Sequence, residues 1–401
     1  MAVAEGSGQL NDGLAPVKPE RLVGDMPNKP HQAPNWLFPF PNYRLVIVEF
    51  DDQGCCYDRR QILGFSNFIS EMVEAASDAI LIAFVHGWKH DARSNDENLT
   101  HFRSVLDLAA FYENEQAARL GEAPRPVVGV FAAWRGLSLY DNIVHLLANI
   151  TFWDRQDAGR RVSTGSVREL LGYVHAYREG RGKRGGRPLV VIAGHSFGGM
   201  ITYSALAQSL IEAAATPSAR VVPSFADLVL LINPAIEGAR YLPVQVLIEE
   251  REAAGDAVTQ PPVFVSATAK NDWATRIAFP LGNVLSLLTE RWTNKRERQA
   301  MLHTIGHIPW MLTHTLSADP SEGPTGYKLT PLAPDKASKT PFWVVQATPE
   351  VIDGHSGIFK PRFLAFVADL VFAHADHTAL RVESPQIRDR AHAACEELRG
   401  Q

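Results

Sequence analysis

Three cysteines among 401 residues are too few for a disulfide framework, and the adjacent pair Cys55-Cys56 has neither C-x-x-C spacing nor a partner pair for zinc. They read as core or surface thiols in a reducing compartment. No apolar run approaches the ~18 residues of a membrane span. The N-terminus lacks the charged-then-apolar pattern of a signal peptide, so a cytoplasmic chain without an integral membrane segment is the expectation. An excess of charge of one sign is missing too. The net charge is −5 with basic residues scattered, which argues against a nucleic-acid partner. The densest basic stretch, Arg178 to Arg187, is broken by Gly180, Gly182, Gly185 and Gly186 and reads as a solvated helix end and loop. No internal repeat is visible. Hydrophobic residues make up 46% of the chain and charged residues 21%, as in a globular protein with a substantial core.

Residues 1–42 carry Pro16, Pro19, Pro27, Pro30, Pro34, Pro39 and Pro41, a density that excludes regular helix and central strand. From Tyr43 onward, short β-branched and apolar runs alternate with helical periodicity. The runs are Tyr43–Phe50, Ala79–Val85, Val127–Trp134, Leu189–Ala193, Leu228–Ile232, Val263–Ala267 and Phe342–Ala347. Between them Ile62, Phe65, Ile69, Met72, Val73 and Ala76 recur at helical spacing, as do Val167, Leu170, Leu171, Val174 and Tyr177. Ser94-Asn95-Asp96-Glu97 and Ser166-Val167-Arg168-Glu169 match the capping box. Alternation of this kind predicts an α/β fold, a mostly parallel sheet covered by helices on both faces. Two apolar segments, at about 135–162 and 276–341, interrupt it. They read as helical insertions near the strand ends, or as extra core or a contact between copies in a homo-oligomer.

Directly after the run Leu189–Ala193 stands Gly194-His195-Ser196-Phe197-Gly198-Gly199, followed by the helix-compatible Met200–Leu206. The pattern G-x-S-x-G arises by chance in roughly one chain in ten of this length at ordinary glycine and serine usage. The strand before and the helix after are what make it a nucleophile elbow, a strained turn that exposes a serine oxygen. Gly194 and Gly198 stand where a side chain would collide in so tight a turn.

An activated serine needs a base, an acid that orients the base, and two N–H donors for the oxyanion. His355, eight residues after the last strand run, is the best-placed base. His303, His307, His314, His374, His377 and His392 also lie downstream of the serine. Asp272 follows the run Val263–Ala267 and is the first choice for the acid, with Glu237 after the preceding run as the alternative. The amide of Phe197 supplies one oxyanion donor. The loop His86-Gly87-Trp88 supplies the other, with the Trp88 amide favoured because Gly87 lets the backbone turn inward. His86 and His90 are four apart, and so are His303 and His307. No carboxylate pattern near the second pair supports a metal, and for the first pair a reading with one ring bracing the oxyanion loop and the other at its surface outweighs zinc.

The His86-Gly87-Trp88 loop, the Gly194–Gly199 elbow, Asp272 after a late strand and His355 after the last one resemble the α/β-hydrolase superfamily, nearer its lipases and esterases than its other branches. The resemblance spans roughly residues 43–373. It implies cofactor-free hydrolysis through an acyl-enzyme, with Ser196, His355 and Asp272 as the triad and Trp88 and Phe197 at the oxyanion. The expected organisation is a Pro-rich segment over 1–42 and a hydrolase domain over 43–401 whose insertions form a lid or cap. The expected activity is cleavage of small-molecule carboxylic esters with a hydrophobic acyl or alcohol group. Amide, thioester or lactone hydrolysis on the same triad is the enzymatic alternative, and an idle hydrolase fold serving as a binding or scaffold protein is the non-enzymatic one. Neither a cofactor nor a metal is expected.

Overall fold

Along β2 (Tyr43–Phe50), Leu45 and Ile47 alternate with Val46 and Val48, and all four are fully buried. A strand that is apolar on both faces needs cover on both sides, which a parallel sheet between two helix layers provides. Every residue of β3 (Ile80–Val85), β4 (Val127–Trp134), β5 (Leu189–His195), β6 (Leu228–Ile232) and β7 (Phe264–Ala269) is likewise buried. The computed structural model describes residues 36–87, 90, 92–134, 159, 161–216, 221–256, 260–278, 294–333 and 340–375. Among these residues ten strands form one sheet in the order β1-β2-β4-β3-β5-β6-β7-β10-β8-β9. The remaining members are β1 (Leu37–Pro39), β8 (His314–Ala318), β9 (Tyr327–Pro331) and β10 (Phe342–Ala347). The eight strands from β2 across to β8 run parallel, and β1 and β9 close the two edges antiparallel. The fold is α/β, as its alternating pattern predicts.

One core lies between the sheet and helices α1 (Arg59–Glu74), α3 (Ser166–Lys183), α4 (Phe197–Ala215) and α5 (Gly238–Ala254). The other lies beneath α2 (Glu97–Leu120) and α7 (Pro361–Ala375). Burial on the inner face of α1 follows the spacing read from sequence, through Ile62, Phe65, Ile69 and Met72. Its first turn is capped by Asp58, whose carboxylate accepts from the Arg60 amide. The start of α2 is capped by Asp96, which accepts from Leu99, so the cap is two residues later than the Ser94 of the sequence pattern. At α3 the reading as a capping box fails. Gly165 is the cap residue, Ser166 already lies inside the helix, and the Glu169 carboxylate is drawn to Arg59 at 2.6 Å instead.

The segment 276–341 is not the wholly helical insertion that its apolar content predicts. Its described part holds a short helix α6 (Lys295–Leu302), two turns of 3₁₀-helix and the antiparallel pair β8/β9, which extends the sheet beyond β10. Alternating burial in His314–Ala318 is a strand signal that the surrounding aromatics obscured. Pro39 ends an edge strand, where a missing N–H costs no ladder bond. The first 35 residues, nearly all of the 135–162 insertion and residues 279–293 lie outside the described residues. Among the described residues no helix is long and apolar enough to cross a membrane.

Phe264 opens β7 with no exposed surface and stacks on Tyr241, ring centroids 5.5 Å apart. Replacing it with alanine leaves a cavity that the sheet and α5 cannot collapse into, at a cost of about 3–5 kcal/mol. Leu63→Ala, at a side chain already 50% exposed, should cost below about 1 kcal/mol. Urea unfolding of both variants checks the ranking, and equal losses would contradict the assigned core.

Candidate active site

The carboxyl ends of β3, β5, β6, β7 and β10 lie along one edge of the sheet, where loops of open parallel sheets gather functional groups. Ser196 follows β5 there, between the strand and α4, with φ 56° and ψ −120°. A non-glycine residue at such a φ is strained, and backbone bonds hold it in place. Its N–H donates to Ile232 at 3.0 Å, and its carbonyl accepts from Met200 and Ala235, both at 3.1 Å. The flanking glycines permit the turn by close approach. A Cβ on Gly198 would stand 2.1 Å from the Val85 carbonyl oxygen, and one on Gly194 would stand 2.6 Å from that of Gly198. Gly87, across the edge after β3, comes so near that a Cβ on it would lie 3.2 Å from the Ser196 Cβ.

His355 reaches this serine from the loop after β10. Its Nε2 lies 2.7 Å from Ser196 Oγ and its Nδ1 lies 2.9 Å from Asp272 Oδ2. A carboxylate only accepts, so Nδ1 carries the proton and Nε2 turns its lone pair to the serine hydroxyl. Asp272 comes from the loop after β7 and is fully buried. Burial pushes its carboxyl up, but the hydrogen bond and charge of His355, with bonds from the Thr275 side chain and amide, outweigh that and hold it below the ordinary carboxylate value. The Ala274 and Thr275 amides donate to Oδ1 at 2.9 and 3.3 Å, and the Thr275 hydroxyl donates to Oδ2 at 2.6 Å.

Three further side chains brace the edge, and of these the sequence pointed only to His86, as one of a pair with His90 of which one would brace the loop. The His86 ring is fully buried against Phe131 and Trp134. Its Nε2 accepts from the Trp134 amide at 3.1 Å, so Nδ1 donates to the Gly87 carbonyl at 2.7 Å and fixes that peptide. His195, immediately before the serine, donates from Nε2 to the His355 carbonyl at 2.9 Å. Asn233 donates to the same carbonyl at 2.8 Å and to that of Gly354 at 3.1 Å, while its Oδ1 accepts from the Ala269 amide at 2.8 Å. It thus ties the ends of β6 and β7 to the histidine loop from a left-handed backbone, φ 44°, that asparagine tolerates. Its position just past an apolar strand run, at the edge that holds the site, was the available signal.

Glu237 starts α5 and pairs with Arg240 on the next turn at 2.9 Å; the imidazole of His355 meets Asp272 and not this alternative carboxylate. Phe197 opens α4, so its amide stands at the positive end of a 19-residue helix. Trp88 lies outside the described residues. His90 is half-buried rather than superficial, with Asp96 3.1 Å from Nδ1 and Asn98 2.6 Å from Nε2. His314 sits on β8, and His374 donates to the Pro262 carbonyl at the opposite edge of the sheet. His377 and His392 lie outside the described residues. Among the described residues no three His, Cys, Asp or Glu side chains gather as a metal site.

No family model and no curated protein matches the chain. Among solved structures it is similar to phospholipase PlaB from Legionella pneumophila in complex with thio-NAD, at 16% identity and a TM-score of 0.30, over 80% of this chain and 62% of that one. A second structure of the same phospholipase gives 14% identity and a TM-score of 0.29, over 80% and 63% of the two chains. The chain spans about three fifths of that phospholipase's length. The chain's own geometry, and not that likeness, carries the functional reading.

Burial depresses the His86 imidazole to about 4 and the His195 imidazole to about 3. An unfolded imidazole titrates near 6.5, so between about 6.5 and 4 the unfolded chain binds protons that the folded chain refuses. Stability therefore rises with pH through that window and falls on acidification, by up to about 1.4 kcal/mol per pH unit for each such ring. Urea unfolding at pH 7 and pH 5 checks this: the free energy should be lower at pH 5, and no change would mean that the rings are not buried as neutral groups.

Proposed function

We propose that the chain is a serine hydrolase of the α/β-hydrolase type that cleaves carboxylic esters through an acyl-enzyme. The observation that carries the reading is the unbroken line of hydrogen bonds from Ser196 Oγ through His355 to Asp272, at 2.7 and 2.9 Å, on a strained strand-to-helix turn. In this mechanism Ser196 Oγ attacks the ester carbonyl carbon while its proton passes to His355 Nε2. Asp272, ionised and buried, holds the tautomer that leaves Nε2 free to accept and stabilises the imidazolium that forms.

Charge developing on the carbonyl oxygen is met by the Phe197 amide at the positive end of α4. A donor from the loop after Gly87, the Trp88 amide, completes the oxyanion hole in this reading. Collapse of the tetrahedral intermediate expels the alcohol, which takes the proton from Nε2. Water, deprotonated by the same nitrogen, then releases the acid and restores the serine. A hydrophobic acyl or alcohol group is the substrate class that the apolar composition near the strand ends favours. Trp273, next to Asp272 in the chain, is 64% exposed and adds to that apolar surface.

Labelling with a fluorophosphonate tests the nucleophile. The wild-type chain should be labelled and Ser196→Ala should not, with turnover of p-nitrophenyl esters falling on the order of 10⁴-fold while the thermal transition stays in place. Labelling of the alanine variant would remove Ser196 from the reaction.

Asp272→Asn tests the acid. It should lower kcat on the order of 10⁴-fold by presenting the wrong tautomer of His355, whereas Glu237→Gln should have a mild effect. The reverse ranking, in steady-state kinetics on the same esters, would move the acid to the end of β6.

A further inference from the structure

His307 has no part in the triad, yet its ring stands one hydroxyl away from the buried carboxylate. Thr275 Oγ1 lies 2.6 Å from Asp272 Oδ2 and 3.1 Å from His307 Nε2. A hydroxyl has one proton, and an ionised carboxylate can only accept, so that proton points to Asp272. His307 Nε2 must then be the donor to the threonine oxygen. The ring is depressed to about 4, chiefly by burial, and so is neutral, with its one proton on the nitrogen that faces Thr275. Hydrogen bonds therefore run without interruption from His307 to Thr275 to Asp272 to His355 to Ser196.

The backbone carrying His307 is tied to the sheet and to the neighbouring loops at several points. Its turn, Ile305–His307, packs onto β7 so closely that a Cβ on Gly306 would stand 2.1 Å from Thr268 Oγ1. The Gly306 carbonyl accepts from Gln346 at 3.2 Å. Just before the turn, the His303 carbonyl accepts from the Gly238 amide at 2.9 Å, and Thr304 Oγ1 donates to the Thr275 carbonyl at 3.3 Å. The charged or titratable groups that act on His307 are Asp272, Arg276 and His303, and Arg276 is exposed, so its charge is screened.

We propose that Thr275 and His307 are positioning residues that act through Asp272, the threonine by donating to the carboxylate and the histidine by donating to the threonine. The assignment rests on the reading of Ser196, His355 and Asp272 as a hydrolase triad. A carboxylate oxygen shared by two donors has its position set and its charge partly dispersed. Removing the threonine donor leaves a more basic carboxylate beside His355, which stabilises the imidazolium and raises the pH at which the free enzyme loses its base.

The test is the pH profile of kcat/KM for a p-nitrophenyl ester in four variants of the full chain. Thr275→Val should move the acid limb up by about one pH unit and lower the plateau on the order of tenfold. His307→Phe should move the limb in the same direction by a smaller amount. Thr275→Ser and His307→Gln each keep a donor and should leave the limb at its wild-type position. An unshifted limb in both donor-removing variants, or equal shifts in all four, would overturn the assignment, because packing alone predicts one or the other. Should Thr275→Val fail to fold, the contrast between His307→Phe and His307→Gln decides in the same way. A failure of the triad itself is recognised separately, by retained turnover or labelling in Ser196→Ala.

Discussion

A serine held at φ 56° is a local cost of roughly 1–3 kcal/mol, and the surrounding architecture exists around that one constraint. The strain persists because the Ile232, Met200 and Ala235 backbones bond to the same residue. The Met200 bond starts α4, and the other two require the carboxyl ends of β5 and β6 in register. Gly198 and Gly194 let the neighbouring backbones close to distances that no side chain would allow. The placement of the serine oxygen at this edge is thus a consequence of sheet packing.

Burial of Asp272 is the second constraint, and its solution is hydrogen bonding. An uncompensated carboxylate in the interior is strongly disfavoured, but this one accepts from two amides, a hydroxyl and an imidazole. Three of those donors come from Ala274 and Thr275 just after the aspartate, and the fourth comes from the His355 loop, far away in sequence and adjacent at the sheet edge. Asn233 and His195 converge on the His355 carbonyl and tie the same histidine loop to the ends of β6 and β5. The proposed catalytic line and its supports form one hydrogen-bonded body, which is how a site keeps its geometry with few covalent constraints.

The sheet was legible because seven of its strands are short apolar runs buried on both faces, a pattern set by composition alone. Strands β8 and β9 were not, since His314–Ala318 and Tyr327–Pro331 are the last two strands at one end of the sheet and interleave polar with apolar residues. Capping residues were legible to within a turn at α2 and misleading at α3, where Arg59 competes for the Glu169 carboxylate. Tertiary ion pairing overrode the local motif there.

Chain order and the elbow motif were enough to nominate Ser196, Asp272 and His355, because a strand-turn-helix with a serine leaves few stations for the other two groups. Sequence left both Asp272 and Glu237 as candidates, each after a strand at the same edge; in space the His355 imidazole meets Asp272 while Glu237 pairs with Arg240. Thr275, His307, Asn233 and His195 could not be singled out in the same way. Thr275 bonds to Asp272 three residues before it, but the others act through hydrogen bonds across 32 to 160 residues of sequence. One-dimensional patterns encode periodicity, turns and short motifs, which are local. The donors that converge on a single carboxylate or carbonyl are set by which loops the parallel sheet brings to one edge.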